Sequence, residues 1–173
     1  MNIGFIGTGL MGSPMIKNLL KSKHKISIFN RTLSKAKKLK KYGAYLSYTI
    51  EELVKDKEII ITMLTDDKAV NDIIRSKTFL NNVCKETTVI DMSSTKPSTA
   101  LDNYKTLKKR GVYFLDAPVS GGTKGAESAS LAIMVGGEKK IYKTNLKVLK
   151  MLGIPNYVGK PSSGQAAKLA NQI

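Results

Sequence analysis

The sequence predicts an α/β fold, an open and mostly parallel sheet with helices on both faces, and three observations carry that expectation. Short apolar runs of strand length alternate with segments whose apolar residues recur at helical spacing, almost from one end of the chain to the other. The isoleucine-rich run at 58–63 carries Ile59, Ile60 and Ile61 on successive positions, as suits a parallel strand buried on both faces. Neither a repeat of fixed period nor a Pro/Gly/Ser linker divides the 173 residues, so one well-buried unit accounts for most of the chain.

Taken in order, residues 3–6 read as a short buried strand and 10–20 as a helix with an apolar stripe. A second strand at 26–29 leads into a lysine-rich helix. In that helix Leu33, Ala36, Leu39 and Tyr42 or Gly43 run along the side opposite the lysines. A short strand at 43–46, a helix at Ile50–Val54 and the strand at 58–63 follow, then a helix at 67–75 and a strand at 88–91. Pro97 opens the next helix, since its missing N–H costs nothing at the first helical position. Strands at 113–115 and 131–135, a helix at 139–152 and a strand at 156–158 complete the unit. Residues 164–173 read as the opening turns of an apolar-faced helix with no terminator. The expected division is a dinucleotide-binding unit at 1–160, with 161–173 leading toward a further domain.

Composition narrows the class. The hydrophobic fraction of 42% permits an ordinary globular core without tryptophan. A single cysteine, Cys84, excludes an intramolecular disulfide and suits a reducing compartment. The N-terminus has no signal-peptide pattern, and no apolar run reaches membrane-spanning length, so a soluble, cytoplasmic protein is expected. The net charge of +16 admits an acidic or nucleic-acid partner by counterion release. The lysines cluster on what read as exposed helix faces, at Lys35, Lys37, Lys38, Lys40 and Lys41 and again at Lys105, Lys108, Lys109 and Arg110. No aromatic residues are interleaved as base-stacking platforms. Solvated faces, attractive to small anions, are therefore the preferred reading, and nucleic acid is not the expected partner.

The segment Gly7-Thr8-Gly9-Leu10-Met11-Gly12 lies between the first strand and the first helix, inside a strand–helix–strand unit. Glycine triplets at this spacing are weak alone, but this context is that of a Rossmann-type dinucleotide site. Gly7 makes the tight turn, Gly9 lets backbone approach a pyrophosphate, and Gly12 lets helix and strand pack closely. The helix N-terminus then offers N–H groups to the anion. At the tip of the second strand, an NAD-preferring protein places an acid against the adenosine ribose. Here stand Asn30, Arg31 and Thr32. Arg31 can grip a 2′-phosphate in a charge-assisted fork, so NADP(H) is expected over NAD(H). Met63 and Leu64 end the buried strand at the sheet's carboxyl edge, and Ser94 and Thr95 bring hydroxyls to the next strand end. Ser120-Gly121-Gly122-Thr123 exposes backbone N–H groups able to hold a carboxylate. Lys168, Asn171 and Gln172 fall on adjacent turns of the last helix.

The glycine loop, Asp91-Met92-Ser93-Ser94, Asp116-Ala117-Pro118-Val119-Ser120-Gly121-Gly122 and Gly164-x-x-x-Lys168-x-x-Asn171 occur in this order along the whole chain. The set resembles the β-hydroxyacid dehydrogenase family, which includes 3-hydroxyisobutyrate dehydrogenase, tartronate semialdehyde reductase and the glyoxylate/succinic semialdehyde reductases. The resemblance implies hydride transfer between NADPH and a short semialdehyde or oxo acid carrying a carboxylate. The candidates are 2-hydroxy-3-oxopropionate, methylmalonate semialdehyde (with its alcohol 3-hydroxyisobutyrate), glyoxylate and succinic semialdehyde. It implies Lys168 as general acid/base, Asn171 holding the substrate or Lys168 in line, and Ser120, Gly121 and Gly122 on the substrate carboxylate with Thr123 and Gln172 assisting. The only histidine, His24, precedes the second strand, away from the cofactor edge, which argues against a histidine-driven mechanism.

Three departures from the family pattern stand out. Gln172 occupies the position of a second asparagine, and residues 126–131 replace a small Gly-Thr pair. The family's C-terminal all-α domain, which closes the cleft and builds much of the dimer interface, is absent from this chain, and the full-length protein is expected to be a homo-oligomer. A rival reading is a non-catalytic dinucleotide-binding or interaction module with a basic surface. Imine reduction is a narrower rival, disfavoured by Lys168 and Ser120-Gly121-Gly122.

Overall fold

The computed structural model describes residues 1–171. Its centre is β1 (Asn2–Ile6), paired in parallel with β2 (Lys25–Phe29) on one side and β4 (Ile59–Thr62) on the other. The chain leaves β1 through α1 (Gly12–Leu20) to β2, continues through α2 (Leu33–Lys37) to the edge strand β3 (Tyr45–Leu46), and returns past α3 (Ile50–Val54) to β4. The direction of winding therefore reverses between β1 and β4, and a crevice opens at the carboxyl ends of these strands. The parallel run continues through α4 (Asp67–Ile74) and α5 (Lys77–Asn82) to β5 (Thr88–Asp91), then through α6 (Pro97–Lys108) to β6 (Tyr113–Asp116).

The last part of the sheet changes direction. β7 (Val119–Ser120), α7 (Gly122–Ser128) and β8 (Leu131–Gly137) bring the chain back antiparallel, with β8 pairing both β6 and β7. After α8 (Lys139–Lys150), β9 (Gly153–Gly159) runs parallel to β8, and α9 (Ser163–Ala170) packs on β8, β9 and α6. The antiparallel join is close because Gly136, opposite Asp116, has no β-carbon. One built there would lie 2.6 Å from the Asp116 carboxylate.

Period-2 alternation sends the strand side chains to two cores. Ile3, Phe5, Ile59 and Ile61 face one core with Met15 and Leu19 of α1. Ile6, Ile60 and Val89 face the other with Phe79 of α5 and Leu107 of α6. Both faces are covered, which explains the unbroken Ile59-Ile60-Ile61 run.

Several expectations are corrected. The lysine-rich helix is only five residues long, followed by a 3₁₀ turn at Lys40–Tyr42 that ends on Gly43 at φ +99°. Lysines crowd this segment with no acidic residue among them to offset their repulsion. Ala36 and Leu39 are buried as expected, whereas Tyr42 is exposed. Helix α5 was not foreseen. Its Ser76 cap accepts the Phe79 amide at 3.1 Å and turns Phe79 into the core. β7 and α7 fall where the sequence pattern assigns no element, and β9 begins earlier than residue 156.

Candidate active site

The glycine loop crosses the carboxyl edge of the sheet between β1 and α1. Gly7 has φ +106°, its N–H donates to the Phe29 carbonyl at 3.0 Å, and a β-carbon there would collide with the Met63 carbonyl. At Gly12 a β-carbon would strike the Gly7 carbonyl and stand 3.2 Å from the Phe5 ring. The two glycines thus let the loop pass close over the end of β4 and α1 start close against the loop and Phe5. At Gly9 a β-carbon would meet nothing within 4 Å, so this glycine faces open space. Helix α1 has no side-chain cap and no acid in its first turn. Thr8 is buried, and its hydroxyl finds no partner among the described residues. A closed cradle, one open glycine, an uncapped helix end and an unpartnered hydroxyl together fit a bound dinucleotide pyrophosphate.

At the tip of β2, Asn30 is more committed than the sequence suggested. Its Oδ1 accepts the Thr8 N–H at 2.9 Å, and its Nδ2 donates to the Thr32 carbonyl at 3.0 Å. The side chain braces the glycine loop against the start of α2, and both of its polar groups are already engaged. Arg31 and Thr32 are exposed beside it. Next to the loop lies a cavity of about 420 Å³, where Thr8 and Gly9 face Lys17, Lys35, Lys38 and Lys41. No acidic residue lines it. Lys17 and Lys41 approach the Tyr42 ring to 4.5 and 5.2 Å, and a hydrogen bond with Lys17 lowers the Tyr42 pKa. Part of the lysine cluster read as a solvated face therefore borders a cationic hollow at the cofactor loop, which focuses positive potential there.

The ends of β4, β5 and β6 are tied together by buried polar groups. Leu64 N–H donates to Ser93 Oγ at 2.9 Å. Asp91, fully buried, accepts the Thr62 hydroxyl at 2.8 Å and the Ser93 N–H at 3.1 Å through one carboxylate oxygen. Its other oxygen has no partner among the described residues. Burial pushes the Asp91 pKa up to about 6, and the nearby Asp116 adds to the effect. Burial also pushes Asp116 up to about 6, even though backbone N–H groups of Gln165 and Ser162 hydrogen-bond to its carboxylate. Ser94 is exposed, whereas Thr95 is buried with its hydroxyl unpartnered. Thr95 N–H donates to Gln165 Oε1 at 3.0 Å, and Gln165 Nε2 donates to the Ser93 carbonyl at 2.7 Å.

Helix α9 carries Lys168, half-buried, and ends at Asn171, which is exposed. Gln172 lies outside the described residues. The helix is not apolar-faced in the expected way, because Gln165 is buried while Leu169 is half exposed. Ser120 closes β7, and Gly121 (φ +131°) and Gly122 (φ +60°) lead into α7 with Thr123 exposed. Among the described residues no hydrogen bond or ion pair joins Lys168 or Asn171 to this turn. His24 sits at the start of β2, the end opposite Asn30. Asp91, Ser93 and Asp116 stand within the sequence motifs without an assigned role, and Gln165 falls on one of the unspecified positions between Gly164 and Lys168. A long polar residue inside an otherwise small and apolar helix, three positions before the lysine, was the available signal.

Residues 2–159 match the family described as the NAD binding domain of 6-phosphogluconate dehydrogenase. The chain is 38% identical to the mitochondrial 3-hydroxyisobutyrate dehydrogenase of Drosophila melanogaster, over 99% of this chain and 53% of that protein. It is 34% identical to glyoxylate/succinic semialdehyde reductase 1 of Arabidopsis thaliana, over 98% of this chain and 59% of the other. Among solved structures, the 3-hydroxyisobutyrate dehydrogenase of Mycobacterium tuberculosis superposes with a TM-score of 0.95 at 32% identity, over 98% of this chain and 58% of that one. The chain thus spans between half and two thirds of the length of these relatives.

Proposed function

The chain belongs to the family of the NAD binding domain of 6-phosphogluconate dehydrogenase, a nicotinamide-dinucleotide-binding domain, and from that premise we propose that the whole protein is an NADP(H)-dependent oxidoreductase of the β-hydroxyacid dehydrogenase type. The observation that carries the reading is the docking of α9. Its first turn is bonded to the carboxyl ends of β5 and β6, the same edge of the sheet as the glycine loop, and Lys168 follows in the next turn. When bound, the dinucleotide supplies or accepts the hydride at a carbonyl or alcohol carbon. Gly7, Thr8, Gly9, Leu10, Met11 and Gly12 would hold its pyrophosphate. Met63, Leu64, Ser94 and Thr95 would flank its nicotinamide half.

Arg31 at the end of β2, with the lysines that line the hollow beside the glycine loop, favours a 2′-phosphate, and hence NADP(H), by adding positive charge on the cofactor edge. Lys168 donates the proton to the carbonyl oxygen and stabilises the charge that builds there, and takes a proton back in the oxidative direction. Asn171 orients the substrate or the Lys168 ammonium. The N–H groups at Ser120, Gly121 and Gly122 receive the substrate carboxylate, with Thr123 and Gln172 lending polar contacts. The substrate class is a short semialdehyde or oxo acid bearing that carboxylate. Residues 1–160 form the cofactor domain, 161–173 start a connection to a second domain, and the full-length protein is a cytoplasmic homo-oligomer. No helix among the described residues is long and apolar enough to cross a membrane.

The test is NADPH consumption by the full-length protein with glyoxylate, succinic semialdehyde and 2-hydroxy-3-oxopropionate, repeated with Lys168→Ala. Turnover of one of these, lost in the variant while NADPH binding persists, is the expected result. Equal activity in the variant would remove Lys168 from the chemistry.

A further inference from the structure

Helix α9 is held by two separate devices. The first fixes where its N-terminus lies. The Asp116 carboxylate accepts the Ser162 N–H at 2.8 Å through one oxygen and the Gln165 N–H at 2.9 Å through the other. Gly164 has no side chain to keep the helix away. A β-carbon there would strike the Met134 carbonyl and lie 2.5 Å from the Asp116 carbonyl oxygen. This seat uses only backbone and one carboxylate, and it sets the face of α9 that meets the sheet.

The second device ties the helix to the loop after β5. The Gln165 side chain is 1% exposed, and its amide is matched on both sides by one loop. The carbonyl oxygen receives the Thr95 N–H and the amide nitrogen gives to the Ser93 carbonyl, so the two partners bracket the exposed Ser94. Ser93 in turn receives the Leu64 N–H, which joins the same loop to the end of β4. A helix turns about 100° and rises about 1.5 Å per residue, so Lys168 stands roughly 60° around the axis and about 4.5 Å along it from Gln165. Asn171 repeats that step. Holding Gln165 therefore fixes where both functional groups project. A Leu or Met at this position would bury apolar surface but leave the Thr95 N–H and the Ser93 carbonyl without these partners, so the amide ties the loop to the helix as well as filling space.

We propose that Gln165 is a positioning residue, which sets the register of Lys168 and Asn171 against the 93–95 loop and so against the reacting end of the cofactor. The inference rests on the role given to Lys168 above. Gln165 is buried with its amide engaged by protein groups, and it acts through α9. A displacement on the ångström scale between a proton donor and its acceptor is enough to slow turnover by about 100-fold.

The experiment is a double-mutant cycle in the full-length protein, with Gln165→Met, Lys168→Ala and the pair, read as kcat and as NADPH dissociation constant. Gln165→Met should lower kcat about 10- to 100-fold while NADPH binding changes less than about 3-fold. In the Lys168→Ala background the same change should cost less than about 2-fold, because the group it positions is gone. Gln165→Asn, which keeps the amide but is one methylene shorter, should fall between wild type and Met. It supplies the same cycle if the Met variant does not fold. Wild-type kcat in Gln165→Met, or equal losses in both backgrounds, overturns the proposal while leaving Lys168 in place. A fully active Lys168→Ala overturns the functional reading, and this inference with it.

Discussion

Replacing Asp91 by Asn is expected to stabilise the protein at neutral and alkaline pH and to lose that benefit in acid. Asp91 is fully buried at the end of β5, bonded through one oxygen to Thr62 and Ser93, with the other oxygen unpartnered among the described residues. Burial raises its pKa from 3.8 to about 6. Because the folded value lies above the unfolded one, the native state holds the proton more tightly. Its contribution is most favourable below the unfolded value and erodes as pH rises through the folded one. A shift of about two units corresponds to ~3 kcal/mol between the two limits, and roughly half of that falls between pH 5 and pH 8. Asparagine does not ionise, so the variant escapes this loss. Its Nδ2, placed where the carboxylate oxygen has no partner, costs ~1–2 kcal/mol at every pH. The net expectation is a gain of ~1–2 kcal/mol at pH 8, shrinking to nothing or reversing near pH 5. Urea unfolding of wild type and variant at pH 5, 6, 7 and 8 measures the difference. A difference that stays constant with pH to within ~0.5 kcal/mol would refute the reasoning, since it would mean that Asp91 titrates in the folded protein as it does in the unfolded chain.

Two further outcomes follow from the cofactor crevice. Gly12→Ala forces a methyl group into the Gly7 carbonyl; a loss of ~1–3 kcal/mol in urea unfolding is expected from overpacking, together with at least ~10-fold weaker dinucleotide binding by calorimetry as the cradle shifts. Asn30→Asp keeps an acceptor for Thr8 N–H, drops the donor to Thr32 and sets a negative charge beside Arg31. NADPH affinity should fall by ~10-fold or more with NADH affected less, and equal losses for the two would leave Asn30 as a loop brace only.

What was legible in the sequence was what periodicity and glycine encode directly. The alternation of 3–6 with 10–20 and the Ile59-Ile60-Ile61 run led to the parallel sheet, and Gly7, Gly9 and Gly12 each occupy the place that their spacing implied. The antiparallel turn through β7, α7 and β8 was not legible, because Gly121-Gly122 reads equally well as a loop and as the start of a helix. Helix α5 was missed because its six residues are too short to show a period, and its Ser76 cap looks like any loop serine. In the site, residue types pointed to Arg31 and Lys168 but could not disclose what holds them. The Thr8–Asn30 bond spans 22 residues and the Ser93–Gln165 bond 72, separations that only the fold brings together. The lysines at 35, 38 and 41 are exposed, as their spacing suggested, but nothing in a linear pattern reveals that Lys17 of α1 lines the same hollow.

The central claim is that this crevice takes a dinucleotide and that Arg31 reads its 2′-phosphate. The direct measurement is calorimetric titration of NADPH and of NADH into the protein and into Arg31→Ala. Saturable binding of both to wild type is expected, with NADPH tighter. The substitution should weaken NADPH by ~10- to 100-fold, the worth of a charge-assisted hydrogen bond, and NADH by less than ~3-fold. Equal weakening of the two, or no saturable binding of either by the wild-type protein, would contradict it.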